Sequence, residues 1–310
     1  MNILVTGGAG YIGSVLVPRL LQDNHRVTVI DNFMYNQQSL AAHCWNPNLE
    51  IVYADIRNTD LVRSHVERAD VIVPLAAIVG APACDKDPVA ATAINFEATV
   101  TLFKMLSKDQ LVLMPTTNSA YGSGDENNYC DETSPLNPLS HYAIEKVRVE
   151  QALMEHPSFV SFRLATVFGL SPRMRLDLLV NNFVWRAIKD RFVVIFEGHF
   201  RRNYIHVRDV TSAFLLALES PDKFVREIFN VGLSSANISK LGLCQEIAKQ
   251  IPDFVFLEEQ MKSDPDQRNY VVSNAKIEAL GFEPQFSLER GIGELIKGLP
   301  MYDVAMFANF

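Results

Sequence analysis

Val5-Thr6-Gly7-Gly8-Ala9-Gly10-Tyr11-Ile12-Gly13 is the stretch that decides the fold of this chain. The apolar run before the glycines reads as a short buried strand. Ile12, Val15, Leu16 and Leu20 behind them repeat at helical spacing. The glycines between have separate tasks: Gly7 permits a tight turn, Gly10 lets a pyrophosphate approach the backbone, and Gly13 lets helix and strand pack closely. The helix N-terminus adds unpaired N–H groups and a dipole that favours an anion. Strand, glycine loop and helix in this order predict a dinucleotide site and the first unit of a doubly wound sheet.

The rest of the first half keeps that rhythm. Strands are predicted at 27–30, 50–53, 71–74, 111–114 and 160–164, and helices at 61–68, 90–107 and 142–155. After Leu164 the alternation weakens. Helices are expected at 178–189, 207–219, 239–250, 274–280 and 288–297, with a strand at 227–231 returning to the main sheet. Ser239, Ser273 and Ser287 read as N-caps and Gly281 as a C-terminal stop. The predicted architecture is α/β: a Rossmann-type doubly wound parallel sheet over 1–165, with about 203–232 returning to it. A smaller mixed α/β substrate domain is expected from 166–202 and 233–310.

The chain has 310 residues, 48% of them hydrophobic and 21% charged, as in an ordinary globular protein with a large core. A formal net charge of −8 argues against a general nucleic-acid binder. No apolar run approaches the roughly 18 residues of a membrane span, and the N-terminus lacks a basic leader, so a cytoplasmic location is expected. Cys44, Cys84, Cys130 and Cys244 show no CxxC spacing and read as reduced thiols, Cys84 as a packed one. His43, His141, His199 and His206 show no metal-ligand spacing, so no metal is expected, and His206 is expected to fix local backbone.

Asp31 ends the second predicted strand, where an acidic residue accepts both adenosine ribose hydroxyls and repels a 2′-phosphate. That choice points to NAD rather than NADP. Asp55-Ile56 fixes the adenine edge or caps a helix, and Ala76-Ala77 are small enough to let a cofactor pass. Tyr142 and Lys146, four apart, share a helical face. A free phenol has a pKa of about 10, and a nearby ammonium, with the charge of an oxidised nicotinamide, is expected to lower it. Pro115-Thr116-Thr117-Asn118-Ser119-Ala120-Tyr121-Gly122 places hydroxyls at the carboxyl end of a central strand, where open α/β sheets bind ligands.

These motifs resemble those of extended short-chain dehydrogenases/reductases of the NAD-dependent nucleotide-sugar epimerase/dehydratase family. TGGAGYIG, Asp31, LAA at 75–77, Asn95 in NFEAT, TTNSAYG, YAIEK and RNYIHVRDV occur in the family's order, from residue 6 to about 210. The resemblance implies that Tyr11, Ile12, Asn32, Leu75 and Asn95 join the cofactor contacts. It implies that Tyr142 takes the proton of a sugar C4 hydroxyl while the C4 hydride passes to NAD. Thr117 would hydrogen-bond the same oxygen, and Lys146 would hold the nicotinamide ribose. It also implies a homodimer, paired through helices at 90–107 and 142–155.

Departures from the family narrow the reaction. The 4,6-dehydratases of this family carry Asp-Glu directly after the catalytic Thr; here those positions are Asn118 and Ser119, now expected to bind substrate. Asp125 and Glu126 lie beyond the turn, so dehydration is not expected. Arg202 matches an arginine that grips the nucleotide diphosphate. Thr166 stands where UDP-sugar members often carry Asn, and Arg268 in DPDQRNY compensates for a missing later arginine. The segment 172–183, PRMRLDLLVNNF, with Arg173, Arg175 and Leu179, is expected to line the base pocket. With FRRNYIHVRDV and the terminal FANF, it is most similar to bacterial enzymes that oxidise GDP-manno-heptose at C4 for capsule sugars. The expected partner is therefore a nucleotide-diphosphate sugar, a GDP-sugar first and a UDP-sugar as the alternative. An NDP-hexose 4-epimerase is the alternative activity, and a non-catalytic NAD-binding regulator the remaining one.

Overall fold

The computed structural model describes residues 1–122, 129–259 and 268–302. Seven strands form the main sheet: β1 (Asn2–Thr6), β2 (Arg26–Asp31), β3 (Leu49–Tyr53), β4 (Val71–Pro74), β5 (Leu111–Thr117), β6 (Phe159–Leu164) and β7 (Glu227–Val231). All neighbours pair in parallel, in the order β7-β6-β5-β4-β1-β2-β3. The order reverses between β1 and β4, and a ligand crevice opens at that reversal.

Parallel strands covered on both faces must be apolar on both. Ile3 and Val5 of β1 pack on one side with Phe162, Phe214 and Phe229. Leu4 packs on the other with Ile30, Ile72 and Val112. Helices α1 (Gly13–Gln22), α2 (Thr59–Val66) and α3 (His141–Leu153) flank the sheet, followed by α4 (Leu179–Lys189), α5 (Val207–Glu219), α6 (Lys240–Gln250) and α7 (Leu288–Gly298). A separate core beneath α4, α6 and α7 includes Phe168, Val184, Ile247 and Leu295.

Several elements differ from the sequence expectation. The long helix at 90–107 is broken into Pro88–Ala91, a π-helical turn Thr92–Ala98 and Thr99–Phe103. Wide turns of this kind are frequent at functional sites. Residues 203–206 do not return to the main sheet: strand Arg201–His206 pairs instead with Thr166–Phe168 and Asn237–Ser239. What returns is α5 and β7. Ile277 and Phe282, expected in the substrate domain, pack in the main-sheet core. Ser239 and Ser287 cap α6 and α7 through bonds from Gly242 and Arg290. Ser273 stands one residue before the cap position Asn274 of the helix Ala275–Glu278, and its hydroxyl accepts from the Ala275 N–H at 3.4 Å. Among the described residues no helix is long and apolar enough to cross a membrane.

Candidate active site

The glycine loop carries out its three tasks by geometry. Gly7 adopts φ +66°, and a Cβ there would stand 2.5 Å from the Ala76 backbone nitrogen. Only glycine fits both conditions. A Cβ at Gly13 would stand 2.4 Å from the Gly8 carbonyl oxygen, whereas one at Gly10 would meet only the Gly7 carbonyl, at 3.0 Å. Gly10 therefore keeps a backbone cradle open on the side of the crevice. Asp31, at the end of β2, accepts bonds from the Ala9 N–H at 3.0 Å, the Phe33 N–H at 2.8 Å and Gln37 at 3.2 Å. Burial pushes its carboxyl up, partly offset by these bonds. Open cradle, terminal carboxylate and close Ala76 backbone together fit a dinucleotide.

The cradle opens into one cavity of about 890 Å³. Its wall holds Gly7, Gly10, Tyr11, Ile12, Gly13, Asp31, Asn32, Asp55, Ile56, Leu75, Ala76 and Ala77 of the expected cofactor set. It also holds Thr117, Ser119, Tyr142, Lys146, Thr166, Arg173, Arg175, Leu179, Arg202 and Arg268. Residues up to 261 positions apart in the chain thus face one another. Two expected contacts are not on that wall. Asn95, in the π-helical turn, reaches the Ile78 peptide instead, accepting from its N–H at 2.8 Å and donating to its carbonyl at 3.0 Å. It shapes the segment that follows β4. Asn118 is fully buried, and its amide has no partner among the described residues. Asp125, Glu126, the DPDQ of DPDQRNY and the terminal FANF lie outside the described residues.

Asp55 does not cap a helix. Asn58 caps α2, and Asp55 is clasped by Arg57 at 2.8 Å, a bond that holds its carboxyl down to about 2. Arg173 and Arg175 separate rather than lining one base pocket. The Arg173 guanidinium lies 4.4 Å from the ring centroid of Tyr35, near Asp31, while the Arg173 backbone N–H donates to the Ser14 hydroxyl of α1 at 3.4 Å. Arg175 pairs with Asp177 and reaches the Val79 carbonyl at 3.5 Å. The loop between β6 and α4 thus straps the glycine loop to the opposite wall. Tyr11 donates to the Gly169 carbonyl at 2.7 Å, and Ser171 donates to the Tyr11 carbonyl at 2.7 Å.

The central strand is anchored from beneath. Glu150 of α3 pairs with Arg163 of β6 at 2.6 Å and accepts from Thr116 at 3.0 Å and Ser161 at 2.7 Å. Arg163 also donates to the Tyr121 hydroxyl at 3.0 Å. Thr116 and Tyr121 bracket the turn that presents Thr117 and Ser119. Such fully buried, fully bonded charges fix geometry more than they add stability.

Tyr142 and Lys146 face the cavity, with the ammonium 6.0 Å from the ring centroid. The electrostatics differ from the sequence expectation. Burial pushes the phenol up to about 12, and the charges that oppose this are Arg175 and Arg268. Burial also pushes Lys146 down to about 8, against the pull of Cys84 and Glu145. Cys84 itself is buried and pushed up to about 11, an inert thiol. His206 caps α5, accepting from the Arg208 N–H at 3.2 Å and meeting Glu294 at 2.6 Å, which is a backbone-fixing role.

Among the wall residues that the sequence did not single out are Tyr35, Lys240 and Tyr270. Each had a positional signal. Tyr35 follows Asp31 by one turn's length, Lys240 follows the Ser239 cap, and Tyr270 stands two after Arg268. Arg202, 2% exposed, lies 5.9 Å over the Tyr270 ring. Those signals gain meaning only once it is known which loops meet.

A seven-stranded parallel sheet with a glycine loop at one end of the crevice and a helical Tyr–Lys pair at the other defines an extended short-chain dehydrogenase/reductase. More narrowly, the chain belongs to the NAD-dependent epimerase/dehydratase family, whose profile matches residues 3–232. It is therefore an enzyme of an NAD-dependent class. A putative UDP-glucose 4-epimerase of Methanocaldococcus jannaschii is 29% identical over 95% of this chain and 97% of its own length. The crystal structure of UDP-glucuronic acid 4-epimerase from Bacillus cereus, with UDP-glucuronic acid and NAD, superposes with a TM-score of 0.86. It is 25% identical and covers 97% of this chain and 99% of that one. UDP-glucose 4-epimerase from Thermotoga maritima gives 0.83 and 26% identity over 97% and 99%.

Proposed function

We propose that this protein oxidises the C4 hydroxyl of a nucleoside-diphosphate sugar. The observation that carries this reading is one cavity joining the glycine loop and Asp31 to Tyr142, Lys146 and the hydroxyls of Thr117 and Ser119, with Arg202 and Arg268 beside them. Bound NAD supplies the acceptor for the C4 hydride. Tyr142 takes the hydroxyl proton, a general-base role. The cations of Arg175 and Arg268 offset part of the burial that holds the phenol protonated, and Lys146, beside the ring, is the residue to hold the nicotinamide ribose. The arginines suit a diphosphate, because a guanidinium fork matches phosphate oxygens in pairs. Asn118 and Ser119 leave no carboxylate next to Thr117, which speaks against dehydration.

Two fates of the 4-keto sugar follow. The two solved structures named above are 4-epimerases of UDP-sugars and the Methanocaldococcus relative carries that name as a putative one, which supports return of the hydride to the opposite face. PRMRLDLLVNNF at 172–183 and FRRNYIHVRDV at 200–210 support the other fate, net oxidation of GDP-manno-heptose in a surface-polysaccharide pathway. The test is to incubate the purified protein with UDP-glucose, UDP-glucuronic acid and GDP-manno-heptose and follow absorbance at the NADH band together with the sugar product. Inversion without net NADH identifies the epimerase, and a 4-keto product with stoichiometric NADH identifies the dehydrogenase. Intact turnover by Tyr142→Phe would falsify both. We also propose a homodimer: Val89, Ile144 and Met154, on or next to the two helices expected to pair, are 80%, 43% and 54% exposed. A monomer by light scattering at micromolar concentration rejects it.

A further inference from the structure

We infer that Arg173 is a ligand of the dinucleotide's pyrophosphate rather than of the nucleotide sugar, and that Tyr35 is the residue that positions it. The inference rests on the placement of the dinucleotide along the glycine loop and Asp31, and not on the reaction at C4. Gly10, Gly13, Asp31, Tyr35 and Arg173 all stand in the wall of the one cavity.

A helix N-terminus holds anions, so the start of α1 fixes where the pyrophosphate lies. Arg173 is tied to that same terminus. Its backbone N–H donates to the Ser14 hydroxyl at 3.4 Å, the hydroxyls of Ser14 and Ser171 meet at 2.8 Å, and Ser171 donates to the Tyr11 carbonyl at 2.7 Å. Residues 171 and 173 are therefore held in register with the first turn of α1. The guanidinium reaches the neighbourhood of Asp31, which ends β2. A cation between the α1 terminus and Asp31 stands where the phosphates lead into the adenosine ribose.

Tyr35 supplies the other side. Its ring centroid is 4.4 Å from the guanidinium, within cation–π range. The turn that carries it is strained on both flanks: Phe33 has φ +50° and Asn36 φ +51°, a region that L-residues rarely adopt. Strain of this kind gathers at ligand clamps and persists only where surrounding bonds hold it. Here Asp31 accepts the Phe33 N–H at 2.8 Å, and the Phe33 carbonyl accepts the Asn36 N–H at 2.8 Å. Gln37 accepts the Tyr35 N–H at 3.2 Å and donates to Asp31 at 3.2 Å, and Ser39 donates to the Ala9 carbonyl at 2.7 Å. Both partners of the contact are thus anchored on the glycine loop or on Asp31.

The electrostatics point the same way. Arg173 is 3% exposed, and burial, aided by Arg175, pushes its guanidinium down against the pull of Tyr35, Asp177 and Asp31. The α1 dipole also disfavours a cation at the helix N-terminus. A pyrophosphate bound there brings two negative charges and relieves both penalties, and a guanidinium fork matches its oxygens in pairs.

The test reads cofactor binding by the full chain, without turnover. ADP-ribose carries the pyrophosphate and adenosine lacks it; each is titrated by displacement of NADH fluorescence. Arg173→Leu should weaken ADP-ribose about 10- to 100-fold, the range for a bond to a charged group, and leave adenosine within about twofold. Tyr35→Ala should weaken ADP-ribose about 10-fold, the worth of one partly desolvated cation–π contact, and speed NADH release in stopped flow. Tyr35→Phe keeps the ring face and should restore both. Adding Tyr35→Ala to Arg173→Leu should bring no further loss, because the ring acts through the guanidinium. Equal losses for adenosine and ADP-ribose overturn the assignment, as does a Tyr35→Phe as weak as Tyr35→Ala. A loss of UDP or GDP binding larger than that of ADP-ribose also overturns it, returning Arg173 to the nucleotide sugar. Tyr35 is half-buried, so its variants carry the test should Arg173→Leu fail to fold. Asp31→Asn is the separate control. If it binds ADP-ribose as the wild type does, the placement of the dinucleotide fails, a result that the Tyr35 variants cannot produce.

Discussion

The ammonium of Lys146 lies 6.0 Å from the centre of the Tyr142 ring, and the two share one wall, Lys146 buried and Tyr142 half-buried. Burial drives the two in opposite directions, the phenol up to about 12 and the ammonium down to about 8. Each is pushed toward its neutral form, which is the state opposite to the one the chemistry requires. The pair is therefore held at a cost to folding.

That cost can be read from pH. The folded value for Lys146 lies below its unfolded one, so the unfolded chain binds the proton more tightly between about pH 8 and pH 10.5. The destabilising contribution is full below pH 8 and disappears as pH rises through that window. Lys146→Met should stabilise cofactor-free protein at pH 7 by on the order of 2–3 kcal/mol, and the gain should vanish near pH 10.5. Urea unfolding at the two pH values checks this. A pH-independent difference would contradict it. Turnover should be lost throughout.

Arg163 and Glu150 are each 5% exposed at the side chain and form the bonds that seat Thr116 and Tyr121. Arg163→Met leaves Glu150 charged and unpaired in the interior. A loss of about 3–5 kcal/mol is expected, and adding Glu150→Leu should return much of it. If the double variant is as unstable as the single one in denaturant titration, stranded charge is not the cause.

Among the described residues Asp31 Oδ2 accepts from the Ala9 N–H alone, which leaves it a lone pair for a ribose hydroxyl. Asp31→Asn removes the charge while keeping an oxygen in place. NAD affinity measured by calorimetry should fall about 10- to 100-fold, the range for losing a bond to a charged acceptor. Discrimination against NADP should weaken in parallel. Binding within twofold of wild type would show that the carboxylate is not the ribose ligand.

Glu294 ties α7 to the start of α5 through His206 at 2.6 Å. Burial raises its carboxyl, but the bond and charge of His206, the Leu170 N–H and Arg208 override it, and the net value is low. A depressed carboxyl contributes stability above its ordinary range and loses it as pH falls through the folded value. Glu294→Gln should lower the thermal midpoint by about 2–4 °C at pH 7, with the gap closing below pH 4. An equal gap at pH 3 would rule out the linkage.

The sequence by itself determined the features that depend on short spacing. Gly7, Gly10 and Gly13 act within one turn, Asp31 ends a strand that its own apolar pattern defines, and Tyr142 and Lys146 share a face because helices repeat every 3.6 residues. These are local constraints, and they were legible. Only the tertiary structure decided that Arg268 meets Ser119 across 149 residues. It alone placed Arg173 on Tyr35 and Asn95 behind the cavity wall rather than on it. It also set the proton affinity of Tyr142, because desolvation depends on what surrounds a group, and no spacing along the chain encodes how completely water is excluded.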